Sequence, residues 1–236
     1  MAKSYGKIFE EQVVEPGRRS KQEDQDKIKE LTSAGHIAHA RKLLKKSGVD
    51  LSSLQMANVA GIKGRPEPKT DIYYRGETEE YKISVKYGDA IQLCSINKDT
   101  TQKYLSLAAS NAGLASEPDI KDLIESISSF PKKVTRKEFN AWAAVNREGA
   151  TRKVRNLLRK YPKLRYCFTE IALTGKGLLP DDRAEANYVL TEKEFFPITK
   201  EYIEKCSEKM SPRFASKSRG GIADATLRVD MSMGVI

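Results

Sequence analysis

Apolar residues recur at helical spacing in three parts of the chain, and this spacing predicts amphipathic helices. The first part is YGKIFEEQVV, residues 5–14. The second extends to about residue 49 and is interrupted near Gly35, which predicts one or two helices. The third covers residues 118–160, with a break at Pro131. Helices therefore account for much of both halves of the chain.

Strand patterns appear in two other places. TDIYYR and EEYKISVK are rich in β-branched and aromatic residues and flank GET, which predicts an antiparallel hairpin. The Gly- and Pro-rich residues 60–67 predict the loop that leads into it. The segment from Asp89 starts as a strand or a helix and continues as a helix through Tyr104. The last 26 residues, SPRFASKSRGGIADATLRVDMSMGVI, predict two strands around a Gly-Gly turn.

Helices and strands interleave without the regular alternation of a doubly wound sheet, which predicts an α+β (mixed α/β) fold. A chain of 236 residues can form one generous domain or two small ones. We predict a single domain over residues 1–236. Its parts are a helical region 1–60, a core hairpin 61–95, a helical basic region 118–160 and C-terminal strands 211–231.

Composition narrows the classes of protein. With 31% charged residues, the chain has no apolar run near the roughly 18 to 20 residues that span a bilayer, so we expect no membrane partner. MAKSYGKIFEEQ lacks an apolar signal core. The three cysteines are far apart and have no metal-ligand spacing, which favours reduced thiols. We expect an intracellular, cytoplasmic location.

The net charge changes this picture most. Lys and Arg number 42 against 32 Asp and Glu, which leaves a formal charge of +10. Such an excess favours a polyanionic partner, most often nucleic acid, although it also fits an ordinary basic protein. We expect the basic face of region 118–160 and Lys69 to contact nucleic-acid phosphates. The residues that we assign to this contact in region 118–160 are Arg136, Lys137, Arg152, Arg155 and Arg159.

The predicted hairpin carries candidate chemistry. Alternate residues of a strand face the same way, so Ser84 and Lys86 share one face while Ile83 and Val85 face the core. Asp71 opens the partner strand. A carboxylate can hold a divalent metal that polarises a phosphate and lowers the pKa of a bound water, and a lysine can stabilise the developing negative charge. Oxygen ligands without soft donors indicate Mg²⁺, with Mn²⁺ as a substitute.

PKTDIYY followed by ISVK resembles the core of the PD-(D/E)xK nuclease superfamily, which includes restriction and homing endonucleases. The resemblance covers about 35 residues, 61–95. It implies a restriction-endonuclease-like core and a magnesium-dependent DNA endonuclease. It also implies that Asp71 binds the metal and that Lys86 stabilises the transition state. Gln92 stands where many members carry a glutamine that positions the nucleophile or the phosphate.

Ser84 departs from the family pattern, because it stands where a second acidic residue is expected. The S-x-K form resembles a phage-associated branch, which implies a location in the host cytoplasm or the virion if the chain is phage-encoded. One compensating arrangement takes the missing carboxylate, as a metal ligand, from Glu10 or Glu11 on the first helix.

The other arrangement shifts the register to EYK, so that Glu80 and Lys82 act instead. We prefer Lys86, because only nine residues separate Asp71 from Glu80, and the turn would crowd the site.

A second, vaguer resemblance connects TEIALTGKGLLPDDRAEANYVL and RFASKSRGGIADATLRVD to phage proteins with the same core. It implies that five residues border the same cleft, with Lys217 and Arg228 on phosphate. An ordinary turn at residues 174–175 and a solvated basic pair explain the same residues. The five are Glu170, Thr174, Gly175, Lys217 and Arg228.

The leading hypothesis is a magnesium-dependent DNA endonuclease that hydrolyses phosphodiester bonds. The alternative is a catalytically inactive nucleic-acid-binding or phage structural protein that keeps the nuclease fold, because Ser84 leaves one acidic ligand. An RNA-binding or ribosome-associated protein fits the charge but has no motif behind it. Double-strand cutters often pair two active sites, so a homodimer is an additional expectation.

Overall fold

The computed structural model describes residues 3–18, 20–57, 69–88 and 90–232. The predicted loop 60–67 lies outside these residues. The helices are α1 (Tyr5–Val14), α2 (Gln22–Ser33), α3 (His36–Lys46), α4 (Lys98–Ala112), α5 (Pro118–Ser128), α6 (Arg136–Lys160), α7 (Pro162–Thr174) and α8 (Lys200–Lys209). The strands are β1 (Gln55–Met56), β2 (Ile72–Arg75), β3 (Glu80–Val85), β4 (Ala90–Asn97), β5 (Val134–Thr135), β6 (Tyr188–Leu190), β7 (Phe195–Pro197), β8 (Met210–Arg219) and β9 (Ile222–Ser232).

Local sequence signals set the helix boundaries. The Ser4 side chain accepts a hydrogen bond of 3.2 Å from the Lys7 backbone N–H and so caps α1. Between α2 and α3, Gly35 has a φ of 71°, a left-handed conformation that favours glycine. A capping box between Thr135 and Glu138 starts α6. The predicted helices at 5–14 and on both sides of Gly35 are confirmed.

The described chain divides into two compact units, each built from two segments. The first contains Met1–Ile91 and Thr174–Thr199, and the second contains Gln92–Leu173 and Lys200–Ile236. The single domain over residues 1–236 stays a prediction.

A five-stranded mixed sheet organises the first unit, in the order β1-β2-β3-β6-β7. β2 and β3 form the predicted antiparallel hairpin, and β3 pairs with β6 in parallel. Side chains from α1, α2 and α3 share one core with the hairpin. Complete burial of each large aliphatic or aromatic side chain there contributes about 1.5–3 kcal/mol. Fully or almost fully buried members of this core are Ile8, Phe9, Leu31, Leu44, Ile72 and Ile83.

The second unit contains strands β4, β9 and β5 in that order, with β8 paired to β9. β8 and β9 form a long antiparallel hairpin from Met210↔Met231 to Arg219↔Ile222. Its turn, Gly220 and Gly221, has φ values of 59° and 84°. This confirms the predicted strands around a Gly-Gly turn.

The segment that could begin as a strand or a helix begins as β4 and continues as α4. Region 118–160 is helical apart from a loop that contains the two-residue strand β5. Helices and mixed sheets together confirm the α+β prediction. Within the part of the chain that the structure describes, no helix is long and apolar enough to cross a membrane.

Candidate active site

Asp71 and Lys86 lie at the same end of the β2–β3 hairpin. Ile72 pairs with Ile83, so the start of β2 lies beside the end of β3. The Asp71 N–H donates to the Ile83 carbonyl at 2.8 Å, and the Lys86 N–H donates to the Leu190 carbonyl of β6 at 2.9 Å. Both residues lie one position beyond the strand ends, and the backbone of neighbouring strands holds them there.

Two neutral donors hold the Asp71 carboxylate. Its Oδ2 accepts hydrogen bonds from the Val85 N–H at 2.8 Å and from the Ser84 hydroxyl at 3.3 Å. Ser84 is 1% exposed. No described residue donates a hydrogen bond to Asp71 Oδ1. Ser84 therefore helps to orient Asp71, and one oxygen of this carboxylate stays available to a ligand.

Glu10 brings a second carboxylate from α1. Burial of Ile8, Phe9 and Val13 fixes which face of α1 packs inward, and the Glu10 side chain is only 12% exposed. Burial and, after it, the charge of Asp71 raise the pKa of Glu10 to about 7, although Lys7 and Lys86 oppose the shift. Glu10 and Asp71 therefore belong to one electrostatic group with two lysines.

The two lysines of this group differ in their contacts. Lys7 Nζ lies 2.7 Å from Glu10 Oε2 and forms an ion pair with it. Burial lowers the pKa of Lys7, but the hydrogen bond to Glu10 and the charges of Glu10 and Asp71 more than offset this, so the pKa is raised. The Lys86 ammonium makes no hydrogen bond or ion pair with a described residue. It is the cation of the group that is available to an incoming anion.

Glu11 has a different partner. Its Oε2 lies 2.6 Å from Lys3 Nζ, and the Lys3 N–H donates to the buried Asp24 at 2.8 Å. The charge of Glu11 acts on Lys7 but is not among the causes that shift the pKa of Glu10. The role of Glu11 as a metal ligand stays a prediction, and the described contacts favour Glu10.

The EYK register places its acid at the other end of the hairpin. Glu80 pairs with Arg75 and lies four strand residues, roughly 13 Å, from Ser84. Its carboxylate accepts a hydrogen bond from the Tyr73 hydroxyl. Lys82 Nζ donates to the Asp182 carbonyl at 3.0 Å. Neither side chain makes a described hydrogen bond or ion pair with Asp71.

The carboxylates of this group suit an open Mg²⁺ site, in which waters and a substrate supply some of the ligands, better than a site in which the protein supplies every ligand. Within residues 3–18, 20–57, 69–88 and 90–232, no three or more His, Cys, Asp and Glu side chains form a group that could hold a metal ion by themselves. Mg²⁺ usually keeps several waters and takes one or two carboxylates together with substrate phosphates. Asp71 Oδ1 and Glu10 Oε1, which accept no hydrogen bond from a described residue, can supply that number of ligands.

The other predicted site residues are divided between the two units. Gln92, which is exposed, and Glu170 belong to the second unit, whereas Thr174 and Gly175 belong to the first. Gly175 follows α7 with a φ of 76°, and a Cβ there would lie 2.9 Å from Lys69 Cγ. The turn is therefore a structural feature as well as a candidate site border. The roles of these residues stay predictions.

Most of the predicted phosphate-binding residues of the second unit are exposed on α6, but the residues of this set are not equivalent. The Arg155 Nε donates to the Pro212 carbonyl at 2.9 Å, so this side chain is held against β8. Lys217 is exposed on β8, whereas Arg228 Nε lies 2.8 Å from Asp230 Oδ1. The exposed members of the α6 set are Arg136, Lys137, Arg152, Arg155 and Arg159.

The sequence interpretation did not identify Lys7. Lys7 and Glu10 are three residues apart on a predicted helix, and residues at this spacing face each other. Because Glu10 is a candidate metal ligand, this spacing is the sequence signal that could have identified Lys7 as a neighbour of the site. The three cysteines, Cys94, Cys167 and Cys206, are free and buried, and burial raises the pKa of the Cys206 thiol to about 11.

Comparisons with known proteins add little to this description of the site. No protein-family model matches the chain, and no curated protein matches it. A search of solved structures found the crystal structure of restriction endonuclease MspI in complex with its cognate DNA. The match has a TM-score of 0.41 and 14% sequence identity, and it covers 96% of this chain and 88% of that chain. This likeness is too distant to carry an argument about fold or activity.

Proposed function

We propose that the chain is a magnesium-dependent DNA endonuclease of the PD-(D/E)xK type. The observation that carries the proposal is the group at the open end of the hairpin, where Asp71 and Glu10 interact beside the Lys86 ammonium, which pairs with no described residue. Two nearby carboxylates repel each other, and burial adds to the cost of ionising Glu10. A divalent cation bound by both would relieve this repulsion, which supports a metal site at this end of the hairpin.

Asp71 and Glu10 would hold Mg²⁺, or Mn²⁺ as a substitute. When bound, the ion would polarise the phosphate and lower the pKa of a bound water. Val85 and Ser84 fix the Asp71 carboxylate in one orientation, and such preorganisation removes part of the cost of assembling the site. Lys86 would stabilise the negative charge that develops on the phosphate.

Plasmid cleavage tests this function. Protein incubated with supercoiled plasmid and Mg²⁺ is expected to produce nicked or linear DNA, and EDTA is expected to stop the reaction. Asp71→Ala, Lys86→Ala and Glu10→Gln are each expected to abolish it. Glu80→Gln is the matched control, because this acid lies at the other end of the same hairpin. Cleavage that survives in both Asp71→Ala and Lys86→Ala would refute the assignment.

A second candidate function is nucleic-acid binding without catalysis, including a structural role in a phage particle. Ser84 favours it, because a neutral side chain stands at the acidic position and the described residues offer two carboxylates rather than three. DNA binding without any heat on titration with Mg²⁺ would support this candidate. Duplex DNA, single-stranded DNA and RNA compared in one binding and cleavage assay would also separate an RNA-binding protein from both.

The exposed basic residues of α6 are the proposed DNA contact, with Lys69, Lys217 and Arg228 as further candidates. We expect affinity for duplex DNA to fall with salt, because phosphate contacts release counterions. Arg152→Ala combined with Arg159→Ala should reduce the slope of log affinity against log salt by about 1 to 2. A homodimer on DNA is also proposed, and a monomer in light scattering with DNA would contradict it.

A further inference from the structure

We propose that Lys7 is a positioning residue that acts as the counter-ion of Glu10 in the metal-free protein. When a divalent cation binds Glu10, the Lys7 ammonium moves away into solvent. This inference rests on the proposed function, because it concerns the same two carboxylates. It assigns to Lys7 control of metal affinity rather than contact with the reacting phosphate.

The ion pair with Lys7 occupies one oxygen of the Glu10 carboxylate, which is a proposed metal ligand. Lys7 Nζ lies 2.7 Å from Glu10 Oε2, within charge-assisted hydrogen-bond distance. The Lys7 side chain is 47% exposed, whereas that of Glu10 is 12% exposed. Because the ammonium is the more accessible partner, it can move into solvent while Glu10 stays in place. A cation reaching Glu10 therefore competes with a flexible side chain and not with the packed core.

Helix geometry alone does not explain this pair. A lysine that precedes an acid on a helix is in the less favourable order for an i,i+3 or i,i+4 pair. The acidic surroundings explain it better, since the Lys7 ammonium lies 2.7 Å from the Glu10 carboxylate and is also attracted by the charge of Asp71. Lys7 and Lys86 together offset the two carboxylates, so the metal-free group has a formal charge of zero when all four are ionised.

Release of Lys7 makes the group suitable for a divalent ion. With Lys7 in place, an added Mg²⁺ would lie beside two ammonium groups. With Lys7 in solvent, two carboxylates and Lys86 remain, and the ion meets a net negative group. The protein therefore holds its carboxylates together without metal, at the expense of some metal affinity.

Calorimetric titration with MnCl₂ tests this proposal directly. At about pH 8.5, where Glu10 is ionised, Lys7→Met is expected to bind Mn²⁺ about twofold to fivefold more tightly than the unmodified protein, the range for an ion pair of this exposure. Lys7→Arg should restore the weaker affinity. Lys3→Met is the matched control, because Lys3 pairs at 2.6 Å with Glu11 on the same helix, and it should leave the affinity unchanged.

A second measurement follows Lys7 itself. With reductively ¹³C-methylated lysines, Mg²⁺ is expected to shift the Lys7 resonance, assigned by its absence from Lys7→Met, while the Lys3 resonance stays in place. Unchanged or weaker Mn²⁺ binding in Lys7→Met would overturn the proposal, as would a Lys7 resonance that does not respond to Mg²⁺. If the unmodified protein binds no Mn²⁺ at all, the proposed function fails. If the unmodified protein and Lys7→Met bind Mn²⁺ equally well, only the role of Lys7 is refuted.

Discussion

The β8–β9 and β2–β3 hairpins differ in how their charged residues are paired. In the β8–β9 hairpin, Arg213 and Arg228 face each other across the strands, and both contact Asp230. In the β2–β3 hairpin, Asp71 accepts hydrogen bonds only from neutral donors, and Lys86 has no counter-ion among the described residues. Charges compensated by direct ion pairs are typical of a stable surface, whereas charges without a direct ion pair beside another acid are typical of a site that binds a ligand.

The largest difference should appear in catalysis. Lys86→Met is expected to lower magnesium-dependent plasmid nicking by at least about 100-fold, because it removes the cation that faces the phosphate. Arg213→Met also removes one positive charge but from the compensated hairpin, and it should retain nicking within about threefold. The initial rate of supercoil loss measures both. Equal losses in the two variants would show that only net charge matters.

The next effect concerns stability and pH. Because folding raises the pKa of Glu10 from 4.5 to about 7, its contribution to stability is full below about pH 4.5 and is lost as the pH rises through about 7. In EDTA, Glu10→Gln should therefore increase the free energy of unfolding at pH 8 by up to about 3 kcal/mol. Urea unfolding at several pH values measures this.

Glu11→Gln provides the comparison for that prediction, because it loses an ion pair with Lys3 and should gain no stability at pH 8. A Glu10→Gln variant less stable than the unmodified protein at pH 8 would contradict the account of this site.

A smaller effect is expected at Ser84, which donates a hydrogen bond to Asp71. Ser84→Glu adds a third carboxylate next to Asp71 at a buried position, so the metal-free protein should lose about 1–3 kcal/mol of stability. Metal affinity should rise, or at least activity should survive. Thermal unfolding with and without Mg²⁺ measures both changes. If Mg²⁺ recovers none of the lost stability, Ser84 does not occupy a metal-facing position.

The smallest effect belongs to the compensated hairpin. Asp230→Asn leaves Arg213 and Arg228 opposite each other without a carboxylate, yet partly exposed ion pairs contribute little. The loss should be under about 1 kcal/mol and should shrink in high salt. Urea unfolding at two salt concentrations measures it. A loss of several kcal/mol would show that this hairpin depends on its charges, and the contrast between the hairpins would disappear.

The sequence predicted local structure well because the signals are local. Gly35 marks the break between α2 and α3, and the Gly-Gly pair marks the β8–β9 turn. The strand identity of β4 was ambiguous, because a short apolar run fits a strand or a buried helix.

Tertiary contacts within the candidate site were harder to predict. Glu10 and Glu11 are adjacent and chemically alike, and only packing of Ile8 and Phe9 decides which one meets the hairpin. The sequence therefore left both open, and the structure associates Glu10 with Asp71. Lys7 was missed for the same reason, since its place in the site depends on the charge of Asp71, which is distant from it in the sequence.

The central claim is that Asp71 holds a divalent cation, and calorimetric titration of Mg²⁺ tests it most directly. The unmodified protein should release or absorb heat with a saturable profile, Asp71→Asn should show none, and Asp230→Asn should match the unmodified protein. Both variants remove one carboxylate charge from the end of a hairpin, so a general charge effect would change them equally. Saturable binding that persists in Asp71→Asn, or is lost equally in Asp230→Asn, would contradict the account.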